Sequence, residues 1–191
     1  HIVDLLLDVA QSGENVVERE GLSIRHAARF VLVGSGNPEE GELRPQLLDR
    51  FGLSVEVRSP NDVSERIEVI KRRDAFETDF DNFFKIYSKK DAKIRSAILK
   101  ARKALPKIQT SDAILHDCAE LCIALGSDGL RGELTLLRAA RALAAYQKEE
   151  ALTRKHLKAI APIALSHRLR RDPLDEAGSA TRVARTVESV L

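Results

Sequence analysis

Apolar and polar positions alternate in two different ways along the chain, and this change divides it into two parts. The first part mixes helical and strand patterns: a helix at residues 1–12, a hairpin at 14–26, and buried strands at 29–35 and 53–58. Two strands and a hairpin make a poor parallel sheet. We therefore expect further strands to come from an upstream segment or from a partner.

Turn and cap residues indicate where these elements end. Gly13 is expected to end the first helix and Gly21 to supply the hairpin turn, because glycine tolerates the left-handed backbone found there. A proline at its start favours a short helix at 45–51. Asp62 is expected to cap the next helix, which runs to about Ala75.

The second part carries helical patterns only, which favours a bundle with short loops. Pro106 is expected to end its first helix and Gly126 its second. The predicted helices run from about Asp79 to Ala104, from a cap at Thr110, Ser111 or Asp112 to Leu125, from Arg131 to Gln147, from Thr153 to Leu165, and from about Thr181 to Val190.

The predicted fold class is therefore α/β followed by all-α. We divide the chain into an α/β part at 1–76, a helical bundle at 77–166 and a tail at 167–191 that ends in a short helix. The tail begins with the basic stretch HRLRR at 167–171, which we interpret as a solvated segment, with docking to a partner as the alternative.

Composition supports helices and narrows the classes of function. Aromatic residues make up 4% of the chain and Trp is absent, so the core must be built from Leu, Ile, Val and Ala. The 31 basic and 29 acidic residues nearly cancel, which argues against nucleic-acid binding. No apolar run is long enough to predict a membrane span. Cys118 and Cys122 share a helix face and are expected to be reduced, buried thiols.

The candidate chemistry lies between Phe30 and Phe51. A buried strand there is expected to end in Ser-Gly-Asn-Pro, and ligands bind at the carboxyl ends of strands in α/β sheets. The amide of Asn37 could hydrogen-bond an attacking water and a terminal phosphate, or the Asn-Pro pair could simply form a turn.

Arg50 follows about a dozen residues later, within Leu-Asp-Arg-Phe. A guanidinium exposed at the end of a short helix could reach a phosphate of an adjacent subunit and stabilise the charge of its transition state. The alternative is a surface ion pair with Asp49 or Glu56.

The order of these motifs resembles the AAA+ ATPases, and NPEEGELRPQLLDRFGL resembles more specifically the ATPase subunit of magnesium chelatase, subunit I. HIVDLLLDVAQSGENVVEREG is similar to the stretch after that family's Walker B motif, ENVVEREGLSIRHAARF to its hairpin before sensor 1, and SDGLRGELTLLRAARALAAYQ to its sensor 2 helix. The resemblance spans about Ile2 to Ala164. It implies a partial AAA+ core, with parallel-sheet strands and a β-hairpin insertion, followed by a helical lid.

The resemblance also implies roles for three residues. Asn37 is expected to be sensor 1 of its own subunit, and Arg50 the arginine finger supplied in trans to the neighbouring subunit. Arg131 is expected to be sensor 2, touching the phosphates of ATP from the lid, with a solvated cation at a helix start as the alternative. A cation is unfavourable at a helix N-terminus, so a nearby phosphate would make that placement intelligible.

The function implied by the resemblance is ATP hydrolysis by an AAA+ ring that drives Mg²⁺ insertion into protoporphyrin IX, in (bacterio)chlorophyll synthesis. The implied partners are further copies in a homo-oligomeric ring, a second AAA+-related chelatase subunit and a large porphyrin-binding subunit, in the cytoplasm or a plastid stroma. A MoxR-like AAA+ chaperone for metalloproteins and a non-enzymatic helical interaction module remain as alternatives.

The sequence lacks several features of the family. It contains no G-x-x-x-x-G-K-[ST] motif to cradle phosphates and no acidic strand end to hold Mg²⁺, and it does not begin with Met. We expect a C-terminal portion of a longer subunit, starting just after Walker B. ATP and Mg²⁺ would then be bound mainly by residues outside this chain, which alone is expected to be inactive.

Overall fold

A computed structural model of the chain describes residues 2–19, 21–37, 44–127, 129–169 and 178–191. Those ranges contain helices and one hairpin, numbered here in chain order. The elements are α1 Ile2–Ser12, β1 Glu14–Arg19, β2 Leu22–Ala27, α2 Pro45–Leu48, α3 Val63–Thr78, α4 Phe80–Ala104, α5 Asp112–Ala124, α6 Arg131–Gln147, α7 Arg154–Leu165 and α8 Gly178–Val190.

The predicted hairpin is confirmed. Strands β1 and β2 pair antiparallel, from Glu14 opposite Ala27 to Arg19 opposite Leu22. Gly21 has a φ of +83°, the left-handed conformation that favours glycine at such a turn. Glu20, the other residue of the predicted turn, lies outside the described residues.

The strands predicted at 29–35 and 53–58 are not formed. Both segments lack sheet hydrogen bonds, and Val31 and Val33 are 89% and 87% exposed. A parallel strand needs neighbouring strands as hydrogen-bond partners, and the β1–β2 hairpin is the one sheet within the described ranges. The parallel strands expected for a partial AAA+ core are therefore not assembled in the described residues.

The helices begin and end close to their predicted positions. Ser111 Oγ accepts a backbone N–H of α5 at 3.4 Å, and Asp62 Oδ1 accepts one of α3 at 3.0 Å, so both act as caps. Helix α2 is shorter than predicted. It ends at Leu48, which leaves Asp49 and Arg50 in the turn that follows.

The hydrophobic core lies in the helical part. Helix α6 packs against α4, α5 and α7, and α8 packs against α5 and α7. Leu121, Leu136 and Leu157 are fully buried at the centre, together with alanines of α6 and α7. The core is thus built mainly from small and branched aliphatic side chains, as composition predicted. Both cysteines are buried and free of a disulfide.

Helices α3 and α4 form an exposed pair with no buried residue. Their aromatic rings pack on one another where the helices meet: Phe83 stacks on Tyr87 with centroids 4.4 Å apart, and Phe76 meets Phe80 edge-on at 5.2 Å. In the part of the chain that the structure describes, no helix combines the length and the apolar character that a membrane crossing requires.

Candidate functional site

An open cleft of about 650 Å³ lies beside α1, β1 and the first turn of α6. Arg50, in the turn after α2, and Arg131, the first residue of α6, both line it. The volume falls in the usual range of ligand sites. The fold therefore brings together two of the three residues that the sequence singled out, although they are 81 positions apart in the sequence.

Arg50 binds a carboxylate that sequence reasoning did not consider. Its Nη1 pairs with Asp8 of α1, and its side chain is 33% exposed. The predicted alternative, a surface ion pair, is therefore present, but with Asp8 in place of Asp49 or Glu56: Glu56 is bound by Arg58 at 2.8 Å, and Asp49 is bound by other arginines. A carboxylate thus occupies the position at this arginine where another anion could bind.

Arg131 is also bound to a carboxylate. Its Nη1 donates to Oδ2 of Asp49, and both side chains are a little under half exposed. Helix α6 has no side-chain cap, so its first backbone N–H groups favour a nearby negative charge. Asp49 therefore supplies a negative charge beside Arg131, and the phosphate expected there stays a prediction.

Asn37 does not line the cleft with the two arginines. It is exposed at the end of the described range 21–37 and is not among the described residues that line the cleft. The strand that was expected to carry it is not formed, and Pro38, its partner in the predicted turn, lies outside the described residues. Its role as sensor 1 stays a prediction.

The backbone around Arg50 is anchored by a residue that sequence reasoning missed. Arg168 has a side chain only 4% exposed, and its Nη1 donates to Oδ1 of Asp49 at 2.6 Å and to the Asp49 carbonyl at 2.7 Å. Its Nη2 donates to the carbonyl of Phe51 at 2.8 Å. The guanidinium therefore contacts the backbone on both sides of Arg50.

His167 also contacts the segment after α2. Its Nε2 donates to the carbonyl of Phe51 at 3.0 Å. Burial lowers the pKa of His167 below its usual value, which favours the neutral ring, while the bond to Phe51 opposes this. Burial also lowers the pKa of Arg168, but the facing carboxylate of Asp49 opposes this effect.

The basic stretch at 167–171 therefore begins with residues that face inward. His167 and Arg168 contact the segment after α2, while residues 170–171 lie outside the described residues. The available signal was the position of Arg168 just past the end of α7, where a side chain can bond the last carbonyls. Its Nε does so, donating to Ala164 O at 3.0 Å.

A group of side chains suited to a metal ion lies elsewhere, on α5. His116, Asp117 and Glu120 place one ligand atom each within 4.8 Å of one another. Asp117 is buried and accepts two bonds of 2.7 Å from Arg154, which occupies both carboxylate oxygens. The hydrogen bonds from Arg154 are the main cause that lowers the pKa of Asp117. Asp117 is therefore held in a structural ion pair with Arg154.

Two comparisons indicate the class of protein. The AAA lid domain family matches residues 115–187, from α5 to α8. A putative ATPase from Cytophaga hutchinsonii shares the fold with a TM-score of 0.70, over 100% of this chain and 61% of that chain, at 18% sequence identity. Residues 115–187 therefore match an AAA lid domain, and the chain shares its fold with this ATPase.

The relatives define the family within that class. The magnesium-chelatase 38 kDa subunit of Cereibacter sphaeroides is 73% identical over 191 residues, which are 100% of this chain and 57% of that subunit. A solved chain from the BchI–BchD complex of magnesium chelatase is 65% identical over 100% of this chain and 56% of that one, with a TM-score of 0.34.

The chain belongs to the family of magnesium-chelatase 38 kDa subunits, which confirms the resemblance found in its sequence. It spans just over half the length of these relatives.

Proposed function

We propose that the chain forms part of the ATPase subunit of magnesium chelatase, in which an AAA+ ring hydrolyses ATP to drive Mg²⁺ insertion into protoporphyrin IX. The observation that carries the proposal is the convergence of Arg50 and Arg131 on one cleft. The relatives support this family over a MoxR-like chaperone or a non-enzymatic interaction module.

The chemistry of the cleft fits phosphate. Carboxylates and phosphates both accept paired hydrogen bonds from a guanidinium. Asp8 and Asp49 therefore stand in for phosphate oxygens at the two arginines. In our proposal one nucleotide contacts both arginines, with Arg50 as the arginine finger for a neighbouring subunit's ATP and Arg131 as sensor 2.

ATP and Mg²⁺ are proposed to be bound mainly by residues outside this sequence, which contains no P-loop. The carboxylates of Asp8 and Asp49 are engaged by arginine, so they do not offer a free set of ligands for Mg²⁺. We assign no step through the metal to them. Asn37 is proposed to position the attacking water as sensor 1, and the chain alone is proposed to be inactive.

The remaining parts of the proposal concern assembly. A homo-oligomeric ring would bring Arg50 of one copy to the nucleotide of the next, and a second AAA+-related subunit and a large porphyrin-binding subunit would complete the enzyme. We propose a location in the cytoplasm or a plastid stroma. The division at 1–76, 77–166 and 167–191 is kept as a proposal for the domains.

The test is Arg50→Ala in the complete subunit expressed from its gene. Nucleotide affinity is expected to stay within about 2-fold, because the finger acts on a neighbour's phosphate. Hydrolysis is expected to fall by about 10³-fold or more, the usual worth of an arginine finger. Arg58→Ala is the matched control, since Arg58 is exposed and pairs with Glu56. Normal turnover of Arg50→Ala would contradict the assignment.

The chelatase activity is tested separately. The complete subunit, mixed with the other two chelatase subunits, protoporphyrin IX, ATP and Mg²⁺, is expected to yield Mg-protoporphyrin, detected by its fluorescence. Omission of ATP should abolish the product. Steady ATP hydrolysis without any Mg-protoporphyrin would favour another AAA+ function.

A further inference from the structure

One guanidinium fixes the backbone on both sides of the proposed arginine finger. Arg168 donates to the carbonyl of Asp49 at 2.7 Å and to that of Phe51 at 2.8 Å, which are the residues before and after Arg50. It also binds the Asp49 carboxylate at 2.6 Å. Of the four hydrogen bonds that join Arg168 to the described residues, three thus fall on the segment that presents Arg50.

The fourth bond ties this segment to the lid. Arg168 Nε donates to Ala164 O at 3.0 Å, at the end of α7. Nearby, the backbone N–H of Ser54 donates to the carbonyl of Ile163 at 2.8 Å. The segment from Asp49 to Ser54 is therefore anchored at several points to the last turn of α7, which belongs to the buried helical core.

Burial makes this anchor stiff. The Arg168 side chain is 4% exposed, so its bonds are shielded from competing water. Arg131, by contrast, is about half exposed and binds the other oxygen of Asp49. A phosphate that draws Arg131 away from Asp49 would leave the contacts of Arg168 in place.

We propose that Arg168 is a positioning residue for the arginine finger, which makes the backbone of Arg50 move together with the lid. The inference rests on the proposed function of Arg50. Arg168 itself does not line the cleft, according to the described residues, so it acts through Arg50 rather than on the nucleotide.

Lysine cannot replace this arginine. The planar fork of a guanidinium reaches two carbonyls and a carboxylate at fixed angles, whereas an ammonium is a single point of charge. Arg168→Lys keeps the charge and loses the two-sided contact. A displacement of about 1 Å of a catalytic group costs about 10²-fold in rate, so even a small shift of Arg50 should be measurable.

The test compares Arg168→Lys with a second arginine of the same helix region in the complete subunit. Arg154 makes two bonds of 2.7 Å to Asp117 on α5 and no described contact with the segment at 49–54. Arg154→Lys is therefore the matched control. The measurements are kcat and KM for ATP hydrolysis, the Kd of a non-hydrolysable ATP analogue and Tm.

Arg168→Lys is expected to lower kcat at least about 10-fold, with the Kd of the analogue within about 2-fold of wild type. Arg154→Lys is expected to lower Tm about as much as Arg168→Lys does, while its kcat stays within about 2-fold of wild type. In an Arg50→Lys background, Arg168→Lys should cost clearly less than in wild type, because both changes act on one finger.

Three results would overturn the inference: an unchanged kcat in Arg168→Lys, an equal loss of kcat in Arg154→Lys, or independent effects in the double variant. The two proposals fail separately. Normal hydrolysis by Arg50→Ala would contradict the role of Arg50 as arginine finger, and therefore this inference as well. An inactive Arg50→Ala together with a fully active Arg168→Lys would support the role of Arg50 and contradict only the positioning role of Arg168.

Discussion

Gly132 directly follows Arg131 and determines how closely the start of α6 packs against its neighbours. A Cβ added there would lie 2.7 Å from Ser127 Oγ, 3.5 Å from Leu165 Cδ2 and 3.7 Å from Cys122 Sγ. The last two distances are ordinary contacts. The hydroxyl of Ser127 alone therefore decides whether Gly132→Ala is tolerated.

Two opposing effects set the magnitude. Alanine in place of glycine favours a helix by up to about 1 kcal/mol. A contact as close as 2.7 Å forces Ser127 to move, and overpacking a tight site costs about 1–3 kcal/mol. We expect Gly132→Ala to destabilise the protein by about 1 kcal/mol, which lowers Tm by about 2–4 °C in a chain of this size.

Removing the obstructing hydroxyl should reverse the sign. In a Ser127→Ala background, Gly132→Ala is expected to stabilise by up to about 1 kcal/mol, because the helix gain remains and the clash is gone. Urea unfolding of the four proteins, followed by circular dichroism at 222 nm, measures this cycle. Gly132→Ala effects of the same sign in both backgrounds would refute the reasoning.

Two further predictions concern the helical core. Leu136→Ala empties a fully buried position and is expected to cost about 3–5 kcal/mol in urea unfolding, against less than about 1 kcal/mol for the exposed Leu134→Ala; equal costs would place Leu136 outside the core. Because Arg154 lowers the pKa of Asp117, its ion pair stabilises the fold above the unfolded pKa of about 3.8 and is lost as pH falls through the lower folded value. Asp117→Asn should therefore be less stable than wild type at pH 7 and lose less stability below about pH 4; parallel acid-unfolding curves would contradict this.

Local signals predicted most of the elements. Gly13 ends α1, Ser111 caps α5, and α6 runs from Arg131 to Gln147 as expected. Each of these limits depends on hydrogen bonds between residues that are close in sequence, so a short stretch of sequence contains the necessary information. The strand at 29–35 was not formed for the opposite reason, since a parallel strand depends on partners that are distant in sequence.

The candidate site divides in the same way. The motif around Arg50 and the helix start at Arg131 were found from sequence resemblance, which does not give the distance between them in the fold. Asn37 was found by the same route, but the fold does not bring it to the cleft. The shared cleft and the buried contact of Arg168 both join residues that are far apart in the sequence. The spacing of residues along the chain therefore predicts neither of them.

The family, the helices, the hairpin and the identity of the two arginines that line the cleft could all be predicted from the sequence. The partners of those arginines depend on the tertiary structure. Asp49 is bound by Arg131, 82 positions later, and by Arg168, 119 positions later, while Arg50 is bound by Asp8. Capping and turn preferences act over a few residues, whereas the choice of an ion-pair partner depends on which surfaces the packing of the helices brings within reach.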